Sequence, residues 1–454
     1  MKEKTMINDL TTGSVAKTLI VFAYPFMLSN LLQVVYNMAD MIVMGQFVGK
    51  TGLSAVSIGG DILHMLTLLA LGFASAGQVL ISQYVGAGDK AAIKNSIGTL
   101  FTFILSSSIV VSVFCFIFGE NMLRAMNAPP ETYDYAYSYI ITCFAGLFLI
   151  YGYNTVSAIL RGMGDSKRPF IFIAIAAVTN LLLDLLFVAV FDMAAFGAAL
   201  ATVIGQGLSF VLSIIYLYRR RDEFGFDFKP ASFKIDGDKL KRLLRLGVPM
   251  CLEYGAISLS MLFVNSYLNA YGVVASAVSG IGNKLGNIAS VVTGGLSLAG
   301  SSMIGQCVGA GKLERVKKVI TTSLLLGLVS SALLSILMLL FPNAVFGLFN
   351  SDPEVLGLAY TFIPCAILLF FGFAARAPFL ALINGIGFAA MNMFVGILDG
   401  VVFRVGLALL MGITFGMGIH GFWYGHALAG FVPFIIGGIF YISGKWKTRK
   451  LLIE

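Results

Sequence analysis

Charge is scarce in this chain. Of its 454 residues only 11% are Asp, Glu, Lys or Arg and 58% are hydrophobic, whereas soluble domains carry roughly 25% charged residues. A water-soluble surface cannot be built at that ratio, so the chain reads as an integral membrane protein. Histidine and cysteine are also few, at 3 and 5. Cys115, Cys143, Cys251, Cys307 and Cys365 are scattered through apolar stretches without metal or redox spacing, and each is expected to be a small packing residue. His64, His420 and His426 form no ligand spacing and are expected to pack as polar groups. No nucleophile, base and oxyanion arrangement appears, so an enzyme is not expected. No filter-like segment or charged ring points to a channel.

What the chain has instead is apolar length. Crossing about 30 Å of hydrocarbon takes roughly 20 helical residues. About twelve such stretches occur, near 18–45, 53–82, 95–118, 135–160, 169–191, 196–218, 246–270, 275–306, 319–342, 355–384, 388–412 and 416–443. They are continuous rather than alternating, which excludes a β-barrel, so the expected fold is all-α. The net charge of +8 does not argue for nucleic acid, because the basic residues sort by loop. Lys17, Lys90, Lys94, Arg168, Arg219, Arg220, Arg221, Lys312, Arg315 and Lys447 share the side of the termini. The other side holds Lys50 and Arg124 against Glu120, Glu131, Asp134, Asp192, Asp352 and Glu354. The positive-inside rule predicts both termini in the cytoplasm and the chain in the cytoplasmic (inner) membrane. MKEKTMINDLTTGS is polar and leads into a full-length span, so no cleaved signal is expected.

The chain repeats itself. GFASAGQVLISQYVGAGDK at 72–90 lies over GLSLAGSSMIGQCVGAGKL at 295–313 with nine identities in nineteen at an offset of 223. The same offset pairs Gly162-Met163-Gly164 with Gly385-Ile386-Gly387, and within one residue it pairs Pro25 with Pro249. Six spans per half is an even number, so the halves share one orientation. The expected domains are an N-lobe at 1–218, a cytoplasmic linker at 219–240 and a C-lobe at 241–454. The charge run of the linker reads as a solvated loop. The repeated VGAG lacks the Gly-Lys-Ser/Thr of a phosphate loop and reads as a glycine stop at a helix C-terminus. Two pseudo-symmetric six-helix lobes around a central cavity describe a secondary transporter.

The residues then resemble a known family. YPFMLSNLLQVVYNMADMIVMGQFVG, the VGAG-ended second span, LRGMGDSKRP, NLLLD and GAALAT look like the bacterial and archaeal MATE (multidrug and toxic compound extrusion) transporters of the MOP superfamily. The resemblance covers essentially the whole chain. It implies export of cationic or amphiphilic drugs and toxic metabolites in exchange for H⁺ or Na⁺, with small organic cations and the bilayer as partners. No cofactor beyond the coupling ion is expected, and the protein is expected to act as a monomer. The acids are similar to those of the DinF-like branch, whose functional cluster matches Tyr36, Asp40, Asn180, Asp184 and Thr202. The NorM-like branch uses a glutamate in the seventh span and an aspartate in the tenth. Here the seventh span carries Glu253, four residues after Pro249, and the tenth carries no acid. The alternative within the superfamily is a flippase of a lipid-linked precursor, set against here by the acidic N-lobe and by a span count of about twelve rather than fourteen.

Read as chemistry, Tyr36 and Asp40, Asn180 and Asp184, and Thr202 and Gln206 are each spaced i, i+4, so three helices each present one polar face. Two acids in low dielectric can hold and release a proton. Alternatively, Asp40, Asn180, Asp184 and Thr202 supply the hard oxygens that Na⁺ wants. Intramembrane acids are functional by default, and the repeat counterpart of Asp40 is Phe263 or Val264, so the acid is not a demand of the fold. Glu253, Gln206 and Asn37 are candidates for the substrate cavity, Glu253 having the alternative of pairing with an arginine. Pro25, fifteen residues before Asp40, removes a helix hydrogen bond and is either a bend that responds to Asp40 or a static kink. Asp399 and Arg404 are expected to satisfy each other, and Arg376 to snorkel.

Overall fold

A computed structural model of the chain describes residues 8–126, 128–349, 352–449 and 451–453. Among them are twelve helices long and apolar enough to cross a membrane: Val15–Phe47, Lys50–Ala87, Lys90–Ala125, Pro130–Gly162, Lys167–Val190, Ala194–Arg219, Gly237–Asn269, Val273–Gly309, Leu313–Leu340, Pro353–Gly385, Ala389–Thr414 and Gly418–Ile442. No strand occurs among the described residues. The protein is an all-α, multi-pass membrane protein, and the spans are numbered one to twelve in this order below. VGAG at 85–88 ends the second span: Gly88 adopts φ 72°, and its N–H donates to the Tyr84 and Val85 carbonyls. Asp89 then caps the third span by accepting from the Ala92 N–H at 2.9 Å. A left-handed glycine followed by an Asx cap turns the chain in two residues.

The chain sorts into two compact units. One takes Asn8 and Leu28–Gly247, the other Asp9–Met27 and the described residues from Val248 onward. The divisions therefore fall inside the first and seventh spans, two residues after Pro25 and two before Pro249, rather than at the loop ends that hydropathy suggests. The first part of span one groups with the second unit for a packing reason. Leu19, Phe22, Ala23 and Phe26 share a core with Leu296, Ala299 and Met303, and a Cβ on Gly295 would sit 2.7 Å from Met27 Cγ.

Within the first unit, glycines set the helix spacing, as lipid-embedded packing requires. A Cβ on Gly77 would collide with Leu100, one on Gly59 with Tyr139, and one on Gly146 with Val203. The second unit repeats the second of these contacts: Gly282 faces Phe362, each residue 223 positions after Gly59 and Tyr139.

The segment 219–240 is not the plain solvated loop that its charges suggest. Phe224 and Phe226 are buried, and Phe226 and Phe233 pack on Phe101 of the third span. Thr102 donates to the Phe233 carbonyl at 2.6 Å, and Lys94 pairs with Asp227 at 2.9 Å. The apolar residues hidden among the linker charges dock it on the third span. A Ser232 hydroxyl and the Lys94 ammonium hold the Asp227 carboxyl well below the usual carboxylate range.

Candidate functional site

The N-terminal unit brings together the residues that the sequence pattern singled out. Asp40, near the end of the first span, is 7% exposed, and Asp184, in the fifth, is fully buried. Their carboxyl groups lie within hydrogen-bonding reach of each other, and neither Asp184 oxygen has another partner among the described residues. Asn180, one turn before Asp184, turns its amide so that Nδ2 donates to Asp40 Oδ1 at 2.8 Å while its oxygen accepts from the Thr202 N–H at 3.3 Å. The reverse orientation would set oxygen against carboxylate. Gly205 makes this approach possible, because a Cβ there would meet the Ala176 carbonyl at 3.0 Å and Asn180 Cβ at 3.3 Å.

Tyr36 hydrogen-bonds Gln206, which ties the first span to the sixth one turn from Asp40. Asn37, a candidate for the substrate cavity, is exposed. Among the described residues, no Lys, Arg or His is among the groups acting on the two acids. Two facing carboxyls without a basic neighbour are stable only with a proton or a cation between them. The Asn180 oxygen accepts one bond from Thr202 and keeps a second lone pair, so it stands with the two acids among the oxygens a cation would meet.

Directly after Asp184 the helix widens into a π-helical stretch, Leu185–Val190, a feature that recurs at functional sites. Tyr139 of the fourth span is a member that sequence reasoning missed. It is buried, lies within electrostatic reach of Asp40 and Asp184, and hydrogen-bonds the Cys143 thiol. Tyrosine is ordinary in a membrane span; its i, i+4 spacing to Cys143 was the one available signal.

The C-terminal unit holds a second polar centre. Glu253 is buried against Gly396, where a Cβ would lie 2.7 Å from Glu253 Cγ, and it accepts from Asn392 Nδ2 at 2.5 Å. Arg404 donates to Asp399 at 2.7 Å, as expected. Arg376 does not snorkel: it pairs with the other oxygen of Asp399 at 3.3 Å, because a buried carboxylate attracts a guanidinium more strongly than water at the span's end. His426 contacts Arg404 at 3.1 Å. Pro25 is buried within the unbroken first span.

The match to known proteins decides the family. The MatE family model matches the chain twice, over residues 25–186 and 249–410. The chain belongs to the MATE family. It is a multidrug and toxin extrusion transporter by family, not an enzyme. This MATE protein is 30% identical to the probable multidrug resistance protein YoeA of Bacillus subtilis, over 79% of each chain. It is 27% identical to the probable multidrug resistance protein YpnP of the same organism, over 98% of this chain and 99% of that one. Its fold is similar to the structure of an outward-facing multidrug resistance MATE transporter of the MOP superfamily, with a TM-score of 0.90 at 22% identity over 97% of this chain and 98% of that one. These likenesses do not favour the flippase alternative.

Proposed function

We propose that this MATE protein exports cationic, amphiphilic compounds in exchange for H⁺ or Na⁺ by alternating access, with Asp40 and Asp184 as the coupling pair. The observation that carries the reading is the contact between two buried carboxyls on different spans, without a basic neighbour among the described residues. Such a pair holds one proton, or one small cation, and loses it when an organic cation or an opening of the site supplies another way to offset the charge. Asn180 fixes Asp40 in place, and Thr202 orients Asn180. Release of the ion changes what Asp40 bonds on the fifth and sixth spans, and the first span then bends at Pro25. The loop charges support both termini lying in the cytoplasm, and the reading takes the monomer as the working unit in the cytoplasmic membrane.

The test is efflux of a fluorescent organic cation from proteoliposomes under a pH gradient or a Na⁺ gradient imposed separately. One gradient is expected to drive efflux in the native protein, and Asp40→Asn is expected to abolish that dependence. Normal pumping by the variant would remove the coupling role.

A further inference from the structure

The two units carry polar centres at equivalent positions but of opposite character. Their register is set by backbone, not by sequence identity. Phe191 N–H donates to the Leu186 carbonyl and Met193 N–H to that of Phe187; Phe415 N–H donates to Leu410 and Met417 N–H to Met411. The π-helical stretches Leu185–Val190 and Leu410–Thr414 lie in the same relation. So do the left-handed pairs Asp192 and Ala194, and Gly416 and Gly418. Apart from the first residue of the π-helical stretch, these correspondences share an offset of 224. At that offset Asn180 becomes Arg404 and Thr202 becomes His426. The contact that positions Asp40 in one unit is rebuilt in the other from two basic side chains, and Asp184 becomes Ala408.

The second centre has more donors than acceptors. Arg376 and Arg404 both lean on the carboxylate of Asp399, and two guanidiniums bring far more N–H groups than one carboxylate has lone pairs. Arg404 Nε is buried without a hydrogen-bond partner among the described residues. The remaining acid, Glu253, spends its bond on neutral Asn392. Asp399 and Arg404 are almost wholly buried, whereas the Arg376 side chain is 14% exposed, so Arg376 is the edge from which the cluster is reached. A further π-helical stretch, Leu398–Val405, carries Asp399 and Arg404; at the same offset the first unit is α-helical, within Lys167–Asp184.

We propose that Arg376, Arg404 and His426 form an oxyanion-accepting site, which takes a carboxylate or phosphate group while Glu253 gains the proton that keeps the cluster neutral. With both acids ionised the two arginines are balanced. An added anion tips that balance inside the membrane, where uncompensated charge is costly. Asp399 is paired with both guanidiniums. Glu253 faces Asn392 of the eleventh span and is within electrostatic reach of Arg376 of the tenth and Asp399 of the eleventh; Arg404 and His426 stand behind Asp399. Glu253, bonded to a neutral amide rather than to a guanidinium, is the group assigned the proton. The substrate class that follows is an amphiphile bearing an acidic group, and the inference stands independently of the coupling assigned to Asp40 and Asp184.

The test is calorimetric titration of the full chain in phosphatidylcholine nanodiscs with inorganic phosphate and with benzoate, alongside proton uptake in weak buffer. Saturable binding of at least one probe is expected, with uptake of one proton per anion. Arg404→Gln is expected to weaken binding by about tenfold or more. Arg376→Lys, which keeps the charge at the partly exposed position and so keeps the fold, loses the paired geometry and is expected to weaken it severalfold. Glu253→Gln is expected to bind the anion without taking up a proton, and Arg124→Gln, at the surface, to bind normally. Nanodiscs containing phosphatidylglycerol separate the sources: lost probe binding assigns the site to a lipid headgroup, and retained binding to a free solute. No saturable binding, or binding unchanged in both arginine variants, overturns the site. Proton uptake that persists in Glu253→Gln overturns the role of Glu253.

Discussion

A carboxyl group inside a membrane must be neutralised, paired or put to use, and Asp40 shows how that choice is made by its neighbours. Among the described residues it meets a second acid and an amide but no cationic side chain, whereas Asp399 in the other unit meets two guanidiniums. The first arrangement is the one proposed to exchange an ion, and the second balances an acid against two bases. Tyr139 borders the first, since both acids lie within its electrostatic reach from the fourth span. Tyr139→Phe removes only the hydroxyl. It is expected to cost about 1 kcal/mol of coupling-ion binding, a roughly fivefold change in apparent affinity, read as a shifted ion dependence of efflux with normal expression. An unchanged dependence would confine Tyr139 to packing against Gly59. Asp40, Asn180 and Asp184 were legible in the sequence because a polar residue in an apolar run has no ordinary reason to be there. Tyr139 and Cys143 were not, because neither type is unusual in a span. Arg376 was misread because its partner lies on another helix, and no local pattern shows what a neighbouring helix presents.

At the scale of elements, hydropathy found all twelve spans, and the repeated VGAG marked a real helix end at Gly88. Hydropathy did not find the divisions inside the first and seventh spans, since a helix that changes packing partners stays apolar throughout. The prolines were the visible sign. Pro25→Ala restores a backbone hydrogen bond worth about 1 kcal/mol and is expected to straighten the first span. Distances between spin labels on that span are then expected to stop responding to pH, and substrate release to slow. Unchanged distances and release would make Pro25 a static kink. The linker offers a separate test, because its aromatic docking surrounds an ion pair. The Asp227 carboxyl is held below its ordinary range, so its contribution is present at neutral pH and is lost as pH falls below about 4 toward the depressed value. A spin label at Ala231→Cys is expected to stay immobile from pH 5 to 9, as a rough working range, and to loosen only in stronger acid. Loosening already near neutral pH would show that the Lys94–Asp227 pair does not hold the linker.

For the molecule as a whole, duplication supplies the fold twice and leaves the chemistry free to differ. The widened helix, the left-handed turn after it and the glycine contacts recur in both units, whereas Asp40 and Asp184 do not: their counterparts are Val264 and Ala408 at the offset of 224. An acid pair that the shared architecture does not need is available to transport. The central claim is that this pair carries the ion that an organic cation displaces. The direct measurement is to titrate purified protein with tetraphenylphosphonium in weak buffer, counting protons released and radioactive sodium displaced together. The account predicts about one ion released per cation bound, of one kind or the other, and none from Asp40→Asn. Full release from that variant, or binding without release of either ion by the native protein, would contradict it.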